Sequence, residues 1–140
     1  MGDDFWKPEY NLGLSEIDKE HRELLGLMSA LKSETIKSKP DLLSRVIDTL
    51  IEYTKKHFLL EERLMRNIQY PNVESHIKLH RKFIEKVERF KSNFTSSNDG
   101  NDHDILQDDI IEFLETWLQN HILTEDRDYV VYMRTHNLAT

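Results

Sequence analysis

Seven side chains in this sequence have the types and spacings of a metal site: His21, His57, Glu61, His76, His80, His121 and Asp126. His57 and Glu61 are four residues apart, and so are His76 and His80. On an α-helix a step of four ends only about 40° past a full turn, so each pair stacks on one face. Imidazole nitrogen and carboxylate oxygen together suit first-row metals, iron among them. His121 and Asp126 are five apart, a step of about 140° on a regular helix. They approach a metal from different sides, or the helix loosens between them. A single wide turn is common at functional sites, and one is predicted near Thr124.

The elements that must carry these residues are helices. Apolar residues recur every three or four positions as Ile17, Leu24, Met28 and Leu31, with His21 filling the gap in the stripe. A second stripe reads Leu43, Ile47, Leu50, Thr54, His57, Glu61, Leu64, and a third reads Val73, His76, His80, Phe83, Val87, Phe90, Phe94. Leu106, Ile110, Phe113, Leu114, Trp117 and His121 make the fourth. The predicted helices cover about 15–36, 41–66, 72–94 and 103–126, with a short amphipathic one near 127–134. Ser15 with Asp18 reads as a capping box, and Pro40 and Asp41 suit a first turn. Tyr70-Pro71-Asn72 and the polar run 95–102 are predicted links. Residues 1–14, with Trp6, Tyr10 and Gly13, read as an ordered arm. The expected architecture is all-α: an antiparallel up-down four-helix bundle with an N-terminal arm and a short C-terminal helix, in one domain over 1–140.

These stripes turn His21, His57, Glu61, His76, His80 and His121 toward the interior of one bundle. Buried without partners, each would cost several kcal/mol. A domain with roughly 5–15 kcal/mol of total stability does not carry that load. An isolated H-x3-H says little; the joint arrangement is the signal. A metal cluster satisfies all the donors at once. His103 and His136 lack ligand spacing and are expected at the surface, as is Glu62. Each ligand histidine should donate its other N–H to a carbonyl or carboxylate, with Tyr70, Tyr129 and Glu62 as the available candidates.

The 140 residues contain no cysteine, which removes iron–sulfur clusters and thiolate zinc from consideration. The formal net charge of −7 lacks the basic face that nucleic acid or an anionic membrane requires. No apolar run approaches the roughly 20 residues of a membrane span. The opening MGDDFWKPEY has no apolar core of a secretion signal, so cytoplasmic residence is the expectation.

The runs Ile-Asp-Lys-Glu-His21, His57-Phe-Leu-Leu-Glu61-Glu, His76-x3-His80 and Trp117-Leu-x-x-His121-Ile-x3-Asp126 resemble the hemerythrins, particularly the bacterial type, over nearly the whole chain. The resemblance implies two non-haem irons joined by an oxo or hydroxo bridge. His76, His80 and His121 would hold one, His21 and His57 the other, and Glu61 and Asp126 would bridge both. It implies reversible O2 binding at the iron with fewer donors, for carriage, storage or delivery to an oxygen-using enzyme, by a monomer or homo-oligomer with no catalytic residue. Leu24, Phe58, Trp117, Leu118 and Ile122 would line the O2 pocket and keep it dry. Sensing of oxygen or nitric oxide, and iron or peroxide handling, are the alternatives at the same site. A ferritin-like di-iron oxidase would use Glu-x-x-His pairs, and a zinc hydrolase His-Glu-x-x-His; neither motif occurs.

Overall fold

The computed structural model describes residues 6–96 and 100–138, without the side chains of residues 37, 95, 96 and 100–106. The expected inward Leu106 and outward His103 therefore lie outside the described side chains. Four long helices make the body: α1 (Ser15–Ala30), α3 (Pro40–Asn67), α4 (Val73–Ser96) and α5 (Gly100–His121). A single turn, α2 (Glu34–Lys37), precedes α3, and α6 (Arg127–Thr135) follows α5 after a π-helical turn, Ile122–Asp126.

Cross-helix pairs give the topology. Glu20 meets His57 and Glu23 meets Tyr53, so α1 and α3 run antiparallel. Lys55 with Glu88 and Glu62 with His80 give the same sense for α3 and α4. Phe83 with Trp117 and Phe90 with Phe113 do so for α4 and α5. Lys32, in the turn just past α1, pairs with Glu115 on α5, which closes the ring. This is the up-down four-helix bundle that the stripes require.

Pro40 opens α3 at a position whose N–H would be orphaned anyway, and Asp41 sits in its first turn. The helix ends without glycine. Gln69 takes φ 56°, and the N–H groups of Gln69 and Tyr70 close back on the carbonyls of Arg66 and Met65. The segment expected as one helix over 15–36 breaks after Ala30, because the Ser33 hydroxyl accepts from Ile36 N–H and starts α2 anew. The polar link expected over 95–102 is helical at both ends, since α4 reaches Ser96 and α5 starts at Gly100.

The capping box is not formed. Leu14 is the N-cap of α1 and makes no side-chain cap bond. The Asp18 carboxylate instead accepts from the N–H groups of Leu12 and Gly13, at 2.9 and 3.0 Å, and so ties the arm to α1. Arg134 and Arg127, at the two ends of α6, hold the arm by donating to the carbonyls of Leu12 and Glu9. Tyr10 is buried, with Trp6 edge-on to it.

One apolar cluster, including Leu24, Met28, Leu43, Leu50, Phe83 and Leu114, fills the bundle. A second, with Leu12, Met65, Ile68, Tyr70, Tyr129 and Met133, closes the end where α1 and α4 begin and α3 and α5 finish. Among the described residues no helix is long and apolar enough to cross a membrane.

Candidate metal centre

The closed end of the bundle is where all seven expected donors meet. α1 brings His21, α3 brings His57 and Glu61 one turn apart, α4 brings His76 and His80, and α5 ends on His121. The π turn adds the last. With one extra residue in the turn, Asp126 comes round to the face of His121, and His121 Nε2 lies 3.0 Å from Asp126 Oδ1. Each of the seven is at most 5% exposed.

The donors form two groups that share both carboxylates. His76, His80 and His121 gather with Glu61 and Asp126; His21 and His57 gather with the same Glu61 and Asp126. Within each group every donor atom is within 4.8 Å of the others. Asp126 divides its oxygens: Oδ1 is 3.0 Å from Nε2 of both His76 and His121, and Oδ2 is 3.0 Å from Nε2 of His21. Glu61 Oε1 faces His57 at 3.1 Å and His80 at 3.7 Å.

These distances fit a metal better than hydrogen bonds. The Nε2 atoms of His21, His57 and His76, Glu61 Oε1 and both oxygens of Asp126 have no hydrogen-bond partner among the described residues, although they stand this close. Two donors bound at right angles to one first-row ion, each at about 2.1 Å, are about 3.0 Å apart. The atoms converge on common points instead of aiming at one another. Buried polar atoms left so would each cost free energy, and a bound cation satisfies them.

Without metal, protons balance the charge. Burial opposes protonation of His57, but the Glu61 carboxylate and the hydrogen bond to Glu20 outweigh it, and its pKa is pushed up to about 10. His21 and His76 are raised as well; burial again opposes, and the adjacent Asp126 carboxylate prevails. His80 is lowered, chiefly by burial. For Glu61 and Asp126 burial works against ionisation, yet the surrounding imidazoles hold both below the usual carboxylate range. Tyr129 is raised well above its ordinary value by burial and by Glu61. It stays protonated and donates to Glu61 Oε2 at 2.6 Å.

Residues 12–132 match the model of the hemerythrin HHE cation binding domain. The chain belongs to the hemerythrin family. It is 35% identical over 129 residues to a bacteriohemerythrin of Clostridium acetobutylicum, covering 89% of this chain and 97% of that one. A bacteriohemerythrin of Stenotrophomonas maltophilia is 29% identical over 131 residues, covering 94% and 82%. A myohemerythrin of Theromyzon tessulatum is 26% identical over 124 residues, covering 89% and 88%.

Around the donors of this hemerythrin chain the outer partners differ from those expected. Glu62, expected at the surface, is half-buried, and its Oε2 accepts from His80 Nδ1 at 2.9 Å. Glu20, which sequence reasoning missed, accepts from His57 Nδ1 at 2.7 Å. His21 and His76 do not follow the expected rule, since Nδ1 of each finds no hydrogen-bond partner among the described residues. Of the two tyrosines, Tyr129 reaches the site, while Tyr70 packs edge-on against Tyr129 and Tyr132. His136 is exposed and donates to the Tyr132 carbonyl.

The five apolar neighbours are placed unequally. Leu24, Leu118 and Ile122 are buried in the main cluster. Phe58 stacks flat on His80, with ring centroids 3.7 Å apart, and Trp117 lies nearly parallel to His121 at 4.3 Å. Phe58 and Trp117 thus cover the three-histidine group. Trp117 is half-exposed, in a surface pocket shared with Leu79, Phe113 and Asn120.

Proposed function

We propose that this chain binds dioxygen reversibly at a pair of non-haem irons held by His21, His57, Glu61, His76, His80, His121 and Asp126. One observation carries the reading: two donor groups share both of their carboxylates but hold unequal numbers of histidines. His76, His80 and His121 would hold one iron, and His21 and His57 the other, with Glu61 and Asp126 common to both. At equal coordination number the two-histidine side keeps a position for a small ligand. Ferrous iron held by these residues would supply the electrons that bind O2 and would recover them on its release.

The protein's part is to keep that position dry and free of acids. Leu24, Leu118 and Ile122 are apolar and at most 2% exposed, so they bring neither water nor a proton donor. Tyr129 is the nearby hydroxyl, and its proton is engaged by Glu61 Oε2. Phe58 and Trp117 shield the other group by lying on His80 and His121. The donor set also separates the site from ferritin-like oxidases, which use about four carboxylates. Here five histidines surround two. The reading assigns the chain to oxygen carriage, storage or delivery.

Metal analysis and an optical titration test it. Protein loaded with iron anaerobically should hold two irons per chain, be colourless, take colour in air and lose it under vacuum. A chain that binds one ion, or turns irreversibly ferric at the first exposure to air, would refute reversible binding.

A further inference from the structure

We infer that Glu20 and Glu62 are positioning residues that set the reduction potential of this centre, one for each half of the site. The inference rests on the di-iron reading above. The structure carries it through a repeated arrangement. In each donor group one histidine has its Nδ1 held by a carboxylate from the neighbouring helix: His57 on α3 by Glu20 on α1, and His80 on α4 by Glu62 on α3. Each group also contains a histidine whose Nδ1 has no partner, His21 or His76. Both glutamates directly adjoin an inner donor in sequence, Glu20 before His21 and Glu62 after Glu61. Helical geometry therefore puts them about 100° round, on the rim of the site rather than in it. Their side chains are 24% and 21% exposed.

Charge gives the arrangement its consequence. Glu61 and Asp126 offset two of the four positive charges of two ferrous ions, and Glu20 and Glu62 add two further negative charges at the rim of the site. In a buried site, uncompensated charge is costly and each countercharge acts strongly. A carboxylate on the far nitrogen also makes an imidazole a better electron donor to its metal. Both effects favour the more highly charged, oxidised metal. Removing either glutamate's charge should therefore favour the reduced form and raise the midpoint potential. A carboxylate that only pinned two helices together would leave the potential where it was.

The test uses Glu20→Gln, Glu62→Gln and the double variant, which keep an acceptor oxygen and lose the charge. Iron content, far-UV circular dichroism and the midpoint potential by spectroelectrochemical titration are measured on the loaded proteins. Each single variant should shift the ferric-to-ferrous ratio at fixed potential by about tenfold toward ferrous, or about 59 mV for a one-electron couple. The double variant should shift it further. Affinity for zinc in the iron-free proteins should fall about 10–100-fold. If a glutamine variant does not load, Glu20→Asp is compared with Glu20→Asn, and Glu62→Asp with Glu62→Asn, since each pair differs in charge at nearly constant size. Ferric-to-ferrous ratios within a factor of two of the parent's at fixed potential, or potentials equal between Asp and Asn, would overturn the inference while leaving the iron pair intact. A parent protein that holds no iron pair would overturn the functional reading itself.

Discussion

The metal-free protein should lose stability between pH 7 and pH 9, and His57 sets the size of the loss. Its pKa is about 10 in the folded chain and about 6.5 when unfolded. A raised histidine stabilises the fold fully below the unfolded value, and the stabilisation is lost as pH climbs through the folded one. Across pH 7–9 the folded state keeps this proton and the unfolded state does not, so stability falls by nearly 1.4 kcal/mol per pH unit. Over the window that is about 2–3 kcal/mol. His21 and His76 are raised too and act in the same sense. His80, Glu61 and Asp126 add little in this range. His80, being lowered, is neutral in both states, and Glu61 and Asp126, also lowered, are charged in both. Urea titrations in chelator at the two pH values measure the effect directly, and the melting temperature should drop by about 5–10 °C. Loading metal should reverse the trend, because the metal competes with those protons and binds better as pH rises. A metal-free protein equally stable at both values, or stabler at pH 9, would show that the carboxylates do not hold these protons and that the site is assembled differently.

Three further perturbations have definite outcomes. Tyr129→Phe keeps the ring in its fully buried place and deletes the donor to Glu61 Oε2; urea denaturation should show a loss of about 1.5–3 kcal/mol, the usual worth of a bond to a charged group. Gly13→Ala puts a Cβ at φ +96°, where it would meet Arg134 Nη2 at 1.7 Å. Stability should fall by about 1–3 kcal/mol, and limited proteolysis should cut the arm sooner as Arg134 releases the Leu12 carbonyl. Leu118→Asn places an amide where the side chain is 2% exposed, so the oxygenated protein should oxidise irreversibly several times faster by optical decay, with Leu118→Met remaining close to the parent.

Much of this was legible in the sequence, for a local reason. The faces of a helix follow from its own periodicity, so the donors at three- and four-residue steps announced themselves. The five-residue step to Asp126 announced the wide turn, and the structure has it at Ile122–Asp126. What depends on how far one helix slides along another was not legible. Glu20 and Glu62 look like ordinary solvent-facing glutamates until the axial offset of α1 on α3, and of α3 on α4, brings His57 and His80 beside them. Competition between backbone groups was equally hidden. Ser15 and Asp18 have capping-box spacing, but the arm folds back and presents the N–H groups of Leu12 and Gly13 to Asp18 first. The break after Ala30 has no glycine or proline to mark it and depends on one serine hydroxyl.

The π turn explains why a bundle of this size carries a sixth helix. Continued as a regular α-helix, α5 would turn Asp126 about 140° away from His121. The three-histidine group would lose the carboxylate that contacts both His76 and His121, and the two groups would share Glu61 alone. One extra residue in the turn therefore makes a joint site from two partial ones. Such a turn bonds its backbone less well than an α-helix and needs support from outside itself. α6 provides it. Tyr129, Val130 and Met133 pack with Leu12 and Met65 in the cluster that closes the bundle, and Arg127 and Arg134 bind the arm across it. Tyr129 does both jobs, anchoring the stretch beyond the turn and holding the other shared carboxylate by its hydroxyl. The arm and α6, which supply none of the seven donors, are what keep Asp126 and Glu61 between the two groups.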